Sequence, residues 1–389
     1  MQRKDIIIVG GGMVGAAAAV GLAQQGLNLH VIEQQSLPQF QSHQAYDLRI
    51  SAISAASVHL LQDLGAWQYI EKMRICPYRQ LETWEIEGFS THFHSNELGL
   101  SELGFMVENN IIQLGLWQRL RDFHNATTSL GSTIINAEKC GENWQIFLDN
   151  GEAFSSPLII AADGANSQFR QKAGIGLTGW QYRQSCLLIL VETELPQQDI
   201  TWQQFFPSGP RAFLPLLGNQ GCLVWYDAPE KIRYLKSLST EKLTEEILSA
   251  FSPRLGKIHV QTANSFELTR RHAQRYFNNG VVLIGDAAHT INPLAGQGVN
   301  LGFKDVKALL EVAQHAKKCG QNLADFESLN AYERKRKADN LLMQSGMDLF
   351  YKAFKEDILP LKIVRNLALM AAQKATPLKK KALKYALGL

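Results

Sequence analysis

Residues Ile6-Ile7-Ile8-Val9 form a short β-branched run that breaks at Gly10-Gly11-Gly12 and resumes as the Ala-rich stretch Met13 to Gln25. Leu29-His30-Val31-Ile32 follows as a second apolar run and ends at Glu33. This order predicts strand, glycine turn, helix and parallel strand. The spacing Gly10-x-Gly12-x-x-Gly15 explains itself chemically. Gly10 permits the tight turn, Gly12 lets a pyrophosphate approach the backbone, and Gly15 lets helix and strand pack closely. The helix N-terminus offers oriented N–H groups to the phosphates. Glu33 stands where a carboxylate accepts hydrogen bonds from a ribose diol. A Gly-rich turn with a solvated Glu is the bland alternative, and the full strand–helix–strand–acid order speaks against it.

The same stretch imitates a secretory signal: Arg3 and Lys4 precede eighteen uncharged residues, Ile6 to Ala23. The internal strand–turn–helix order excludes that reading and a membrane span alike. No other stretch qualifies as a transmembrane helix, and a cytoplasmic location is expected. A second Gly174-x-Gly176-x-x-Gly179 follows the polar Arg170-Gln171-Lys172, not a strand. It is expected to be a loop leading into the strand around Cys186 to Val191.

Composition narrows the class. Of 389 residues 46% are hydrophobic and 19% charged, enough for a large core and unlike a disordered chain. The net charge of +3 argues against a dedicated nucleic-acid binder. Cys76, Cys140, Cys186, Cys222 and Cys319 are odd in number and contain no CxxC pair, so free thiols are expected, with no disulfide framework and no metal site. The charge is unevenly spread: residues 360–389 carry seven basic and no acidic side chains, leaving −4 for the remainder. Such a basic, apolar-interleaved tail is either a helical cap with a solvated Lys face or a surface for anionic lipid or a pathway complex.

Two further turns select the ligand. Leu158 to Ala161 is an apolar strand that runs through Ala162 into Asp163-Gly164, with Arg170 close behind; taken alone, this Asp-Gly reads as a common turn. Val281 to Ile284 is another, ending in Gly285-Asp286 and continuing through Pro293, Gly296 and Gly298 to Asn300. Small residues there let a flat ring lie against backbone, and a helix opening near Gly298 stabilises negative charge on a reduced ring.

These three motifs, in this order and over nearly the whole chain, resemble the single-component FAD monooxygenases of the p-hydroxybenzoate hydroxylase fold. The resemblance implies that Gly10, Gly12, Gly15 and Glu33 bind the ADP half of FAD, and that Asp163 and Gly164 lie near FAD and the reduced nicotinamide. It further implies that Asp286 binds the ribityl chain and that Pro293 to Asn300 face the isoalloxazine. Arg49, in Asp47 to Ala52, and Gln113, in Asn109 to Leu116, match residues of that flavin site; without the resemblance they read as a surface Arg and a helix-face Gln. Pro293, Gly296 and Gly298 are the candidates nearest the reacting centre, acting through backbone and shape. His289 is a candidate acid–base group, but a hydrogen-bonded histidine packed behind the flavin loop is the favoured reading. Phe213, Pro215, Trp225 and Tyr226 are candidates for a ring pocket, with plain core as the alternative.

Within that family, Arg49 to Ser54, Gly285 to Gly302 and Ser345 to Phe350 are similar to the ubiquinone-biosynthesis hydroxylases. Tyr78 to Trp84, Thr201 to Phe205, Gly209 to Pro215 and the ending Ala382 to Leu389 are similar to the branch that acts on a demethoxyquinol. The implied reaction uses FAD, NADH or NADPH, and oxygen to hydroxylate the ring of a prenylated quinol. Another ring position of the same pathway, a flavin-dependent prenyl reductase and a non-catalytic flavin-binding scaffold remain open.

The expected fold class is α/β: a discontinuous Rossmann-like FAD-binding domain (1–76, 106–180 and 266–340) with an inserted antiparallel-sheet substrate domain (77–105 and 181–265). C-terminal helices are expected over 341–389. The expected location is cytoplasmic, with peripheral contact at the inner membrane surface through the basic tail.

Overall fold

A computed structural model describes residues 1–37, 39–291, 298–355, 362, 365–366 and 376–388. Pro293 and Gly296 lie outside the described residues.

Ile6–Val9 and Leu158–Ala161 are buried at every position, as strands covered on both faces must be. They pair in parallel, Ile6 with Leu158 and Val9 with Ala161. Leu29–Glu33 and Val281–Leu283 flank them in parallel, and Ala126–Leu130 and Phe277–Asn278 complete six strands. The helix Met13–Gln24 is buried from Gly15 through Ala23. Its uniform apolarity follows from covering one sheet face while lying under the helices Asn109–Leu120 and Gly298–Lys318.

An eight-stranded sheet forms the second layer, antiparallel except where Gln80–Trp84 pairs in parallel with Ile200–Gln204. Leu187, Ile189, Leu223 and Trp225 on one face pack with Ile232, Leu235, Leu243 and Ile247 of the helices Pro229–Ser237 and Thr240–Ala250. Phe213 and Trp225 are 1% exposed within that core, so the core alternative applies to them. Tyr226 joins a separate cluster with Tyr182, Cys186 and Leu268.

The loop expectation for Gly174 to Gly179 needs correction. The long strand Leu177–Thr193 begins inside it, and Gly179 pairs with Arg271 of Ile258–Ala273. A Cβ at Gly179 would stand 2.2 Å from Arg270 O. That glycine serves close strand pairing, which the polar residues before it conceal. All five cysteines are free, with Cys140 and Cys319 exposed. Among the described residues no helix is long and apolar enough to cross a membrane.

The tail helix Thr376–Leu387 caps the molecule: Leu383 and Leu387 enter a cluster with Cys76, Tyr78, Leu190 and Cys222. Lys379 pairs with Glu97 at 2.8 Å and Arg365 with Glu85 at 2.6 Å, while Lys380, Lys381 and Lys384 remain exposed.

Candidate active site

Parallel pairing brings four strand ends to one sheet edge, where Gly10, Glu33, Asp163 and Asp286 leave the sheet together. The carboxyl edge of such a sheet is where ligands bind in this architecture.

The first turn is tightly specified. Gly10 has φ +98°, and a Cβ on Gly15 would lie 1.9 Å from Gly10 O. Glu33 holds the loop from one side, accepting from Gly11 N at 2.6 Å and from Gln35 N at 2.8 Å. Gln113 Nε2 and Trp117 Nε1 hold it from the other, donating to Gly11 O at 2.9 and 2.7 Å. No side chain caps the helix that starts at Met13. A Cβ on Gly12 would meet nothing within 4 Å. Free N–H groups therefore face open space of the kind a pyrophosphate fills.

That space is a cleft of about 400 Å³ walled by Gly10, Gly12, Glu33, Thr133, Asp163 and Asn166. Asp163 Oδ2 accepts from Gln168 N at 2.8 Å and Phe169 N at 3.3 Å, while its buried Oδ1 has no partner among the described residues. Gly164 has φ +79°, and a Cβ there would meet nothing within 4 Å. Arg170, 3% exposed, donates to Ala287 O at 3.0 Å and so ties the Asp163 turn to the Asp286 turn.

Asp286 sits in the short 3-10 turn Gly285–Ala287. The residue is exposed to solvent by surface area, although enough protein surrounds its carboxyl for burial to dominate its titration. Desolvation pushes its carboxyl above the ordinary range; His289 opposes this and Asp305 adds to it. Behind the turn lies Asp305, 0% exposed. It accepts from Gly285 N (2.9 Å), His289 Nε2 (2.5 Å), Arg336 Nε (2.8 Å) and Asn340 Nδ2 (3.2 Å). Burial alone would raise this carboxyl, but His289 and Arg336 together hold it at about 2. His289 is thus the packed, hydrogen-bonded histidine of the favoured sequence reading.

Asn300, on the first turn of Gly298–Lys318, is buried and accepts from Ser54 N (3.0 Å) and Ser57 Oγ (2.7 Å). It also donates to Ala52 O at 2.9 Å, fixing the strand Ile50–Ser54 against that helix. Arg49 precedes this strand; its side chain is exposed and its backbone carbonyl accepts from Asn109 N at 2.9 Å. Trp117, Thr133, Asp305 and Arg336 are structural contributors that motif reading does not reach. Only Trp117 leaves a local signal, four residues after Gln113 on the same helix face.

An uncapped helix N-terminus behind a glycine turn, with Glu33 at the end of the next strand and an open cleft at the carboxyl edge of a parallel sheet, is the arrangement of a dinucleotide-binding protein. The FAD binding domain family model matches residues 3–340, so the chain belongs to that family of FAD-dependent monooxygenases. It is 51% identical to 3-demethoxyubiquinol 3-hydroxylase of Escherichia coli (strain K12), across 100% of this chain and 99% of that protein. It is 32% identical to the ubiquinone hydroxylase UbiL of Rhodospirillum rubrum, across 99% and 89%. In fold it matches p-nitrophenol 4-monooxygenase PnpA of Pseudomonas putida DLL-E4, with a TM-score of 0.81 at 19% identity over 100% and 99% of the two chains.

Proposed function

We propose that this protein hydroxylates the ring of a prenylated demethoxyquinol, 2-polyprenyl-3-methyl-6-methoxy-1,4-benzoquinol, using NADH or NADPH and oxygen, in ubiquinone biosynthesis. The observation that carries this reading is 51% identity, spread over the whole chain, with a 3-demethoxyubiquinol 3-hydroxylase. When bound, FAD supplies the oxygen-activating redox chemistry that side chains lack.

The chain's own residues bind and orient. Gly10, Gly12 and Gly15 admit the diphosphate, and Glu33 receives the ribose on oxygens that each already hold one backbone N–H. Asp163 borders the cofactor cleft with Gly164 next to it in the same turn, Asp286 takes the ribityl hydroxyls, and Arg49, Gln113 and Asn300 frame the flavin side. Pro293, Gly296 and Gly298 shape the reacting centre. Residues 1–76, 106–180 and 266–340 make the FAD-binding domain, and 77–105 with 181–265 the substrate domain that keeps water from the ring.

The deciding experiment supplies the flavin-loaded protein with NAD(P)H, labelled oxygen and candidate prenyl-quinols. Label at the unsubstituted ring carbon of the demethoxyquinol is expected. Label on a different quinol would reassign the ring position. Oxygen-independent reduction of prenyl double bonds would make it a reductase, and absence of any nicotinamide oxidation a scaffold.

We also propose peripheral contact with the cytoplasmic face of the inner membrane or with a pathway complex. Exposed Lys380, Lys381 and Lys384 on the tail helix support it. Replacing all three by Gln is expected to reduce sedimentation with anionic vesicles or partner enzymes; unchanged sedimentation with both removes this part.

A further inference from the structure

The helix Phe326–Lys355 carries a polar residue at every fourth position: Tyr332, Arg336, Asn340, Gln344 and Asp348. The first four are 0–5% exposed, and the Asp348 side chain is 13% exposed. A row of this kind costs desolvation unless its members are bonded, and each makes at least one bond, although Gln344 Oε1 is buried with no partner among the described residues. Tyr332 OH donates to Leu283 O at 2.9 Å, at the end of the strand that leads into the Asp286 turn. Arg336 and Asn340 hold Asp305, which holds Gly285 N and His289. Asn340 Nδ2 also reaches Tyr276 OH at 3.0 Å. Gln344 Nε2 donates to Arg271 O at 3.1 Å and to Thr290 O at 3.4 Å. Asp348 accepts from Tyr182 OH at 2.5 Å and lies 3.0 Å from Arg270 Nε.

Helix geometry makes this row useful. Four residues advance about 400°, so each step drifts roughly 40° and five positions wind about 160° over roughly 24 Å. One continuous helix thus begins against the parallel sheet and ends against the eight-stranded sheet. Its partners follow the same path, from Leu283 through Gly285, His289 and Thr290 to Arg270 and Tyr182.

We propose that this row is a splint that fixes the Asp286 turn and sets its position relative to the eight-stranded sheet, with Asp305 and His289 as positioning residues that never touch substrate. Asp305 is the junction: one carboxylate gathers a turn N–H, an imidazole, a guanidinium and an amide, so the turn cannot shift without breaking charge-assisted bonds. The inference rests on the reading that the Asp286 turn meets FAD. The near end of the row then governs cofactor binding, and the far end governs how the ring substrate meets the cofactor.

His289→Leu and His289→Gln separate positioning from plain stability, because Gln retains a donor where His289 Nε2 stands. The purified proteins are compared for FAD dissociation constant, by flavin fluorescence, and for flavin midpoint potential. One charge-assisted bond corresponds to about ten- to a hundredfold in affinity. His289→Leu is expected to weaken FAD by at least about tenfold and to shift the potential, with His289→Gln within about threefold of wild type. At the far end, Asp348→Asn is expected to leave FAD affinity within about twofold while lowering product formed per nicotinamide oxidised. A folded His289→Leu protein with wild-type affinity and potential overturns the proposal. If that variant does not fold, Gln344→Leu, read the same two ways, decides instead. If the wild-type protein itself fails to bind FAD, the reading of the site fails, which is a separate result.

Discussion

Gln113 and Trp117 donate to one and the same oxygen, the carbonyl of Gly11. They stand four residues apart on one helix, so adjacent turns of Asn109–Leu120 converge on the glycine turn at Gly10 to Gly12. Trp117→Phe keeps an aromatic side chain of smaller volume and removes the indole N–H donor, leaving Gln113 in place. The expected result is a loss of about 1 kcal/mol in stability and several-fold weaker FAD binding, read by urea titration and flavin fluorescence. Unchanged affinity would show that a single donor suffices to hold the loop.

The glycines of that loop are expected to fail differently. Gly12→Ala places its methyl in open space, so the apoprotein should melt as wild type while FAD binding falls sharply. Gly15→Ala forces a methyl into Gly10 O and should cost about 1–3 kcal/mol or more in stability, in addition to the cofactor. Calorimetry on the two apoproteins distinguishes them, and equal melting temperatures would contradict the packing described for Gly15.

Glu108 is 1% exposed and meets Arg74 through two bonds of 2.8 Å, while also accepting from Asp47 N. Arg74 in turn stacks on Tyr46 at 3.8 Å and donates to Gln44 O. Breaking one partner of a buried pair strands the other charge, so Glu108→Ala is expected to cost about 3–5 kcal/mol. The segment from Gln44 to Arg49 should then become the first site of limited proteolysis; cleavage elsewhere first would count against this bracing role.

Two buried histidines set an acid limit. Burial holds His30 at about 4, with Lys4 adding to the effect; burial likewise holds His272 at about 4, reinforced by His289. Both are lowered from 6.5, so the unfolded chain binds protons that the folded chain refuses between those values. Their contribution is fully present above about pH 6.5 and is lost as pH falls to about 4, on the order of 3 kcal/mol for each. Urea midpoints measured from about pH 7 to about pH 4 should drop accordingly, and His30→Leu should flatten the slope by up to about one proton. A flat profile in the wild-type protein would rule this out.

The turns at Gly10, Asp163 and Asp286 are legible in sequence because each is local: an apolar strand, then glycine and acid within a few residues. Their meeting at one edge is also legible, since buried β-branched runs of this kind imply a parallel sheet. Thr133 reaches the cleft from a separate strand region, and nothing around it marks a ligand wall. Asp305 acquires its role from Gly285, His289 and Arg336, which tertiary packing alone assembles. Arg336 reads as one more charge in the run Glu333 to Lys337, and only its partners show that it is buried. Gly179 shows the reverse hazard: the last glycine of a turn-like spacing lies inside a strand.

Three adjacent strands of the parallel sheet are encoded at residues 6–9, 158–161 and 281–283 of a 389-residue chain. A ribosome delivers the first two long before the third, so the emerging sheet has an open apolar edge for more than a hundred residues of synthesis. Contacts so distant in sequence form slowly, and exposed strand edges invite wrong partners. The residues that wall the cleft all precede residue 170, and the Asp286 turn joins the same sheet edge only after a further hundred residues. A truncated chain ending before residue 281 is therefore expected to lack both the third strand of this group and the Asp286 turn that we propose meets flavin.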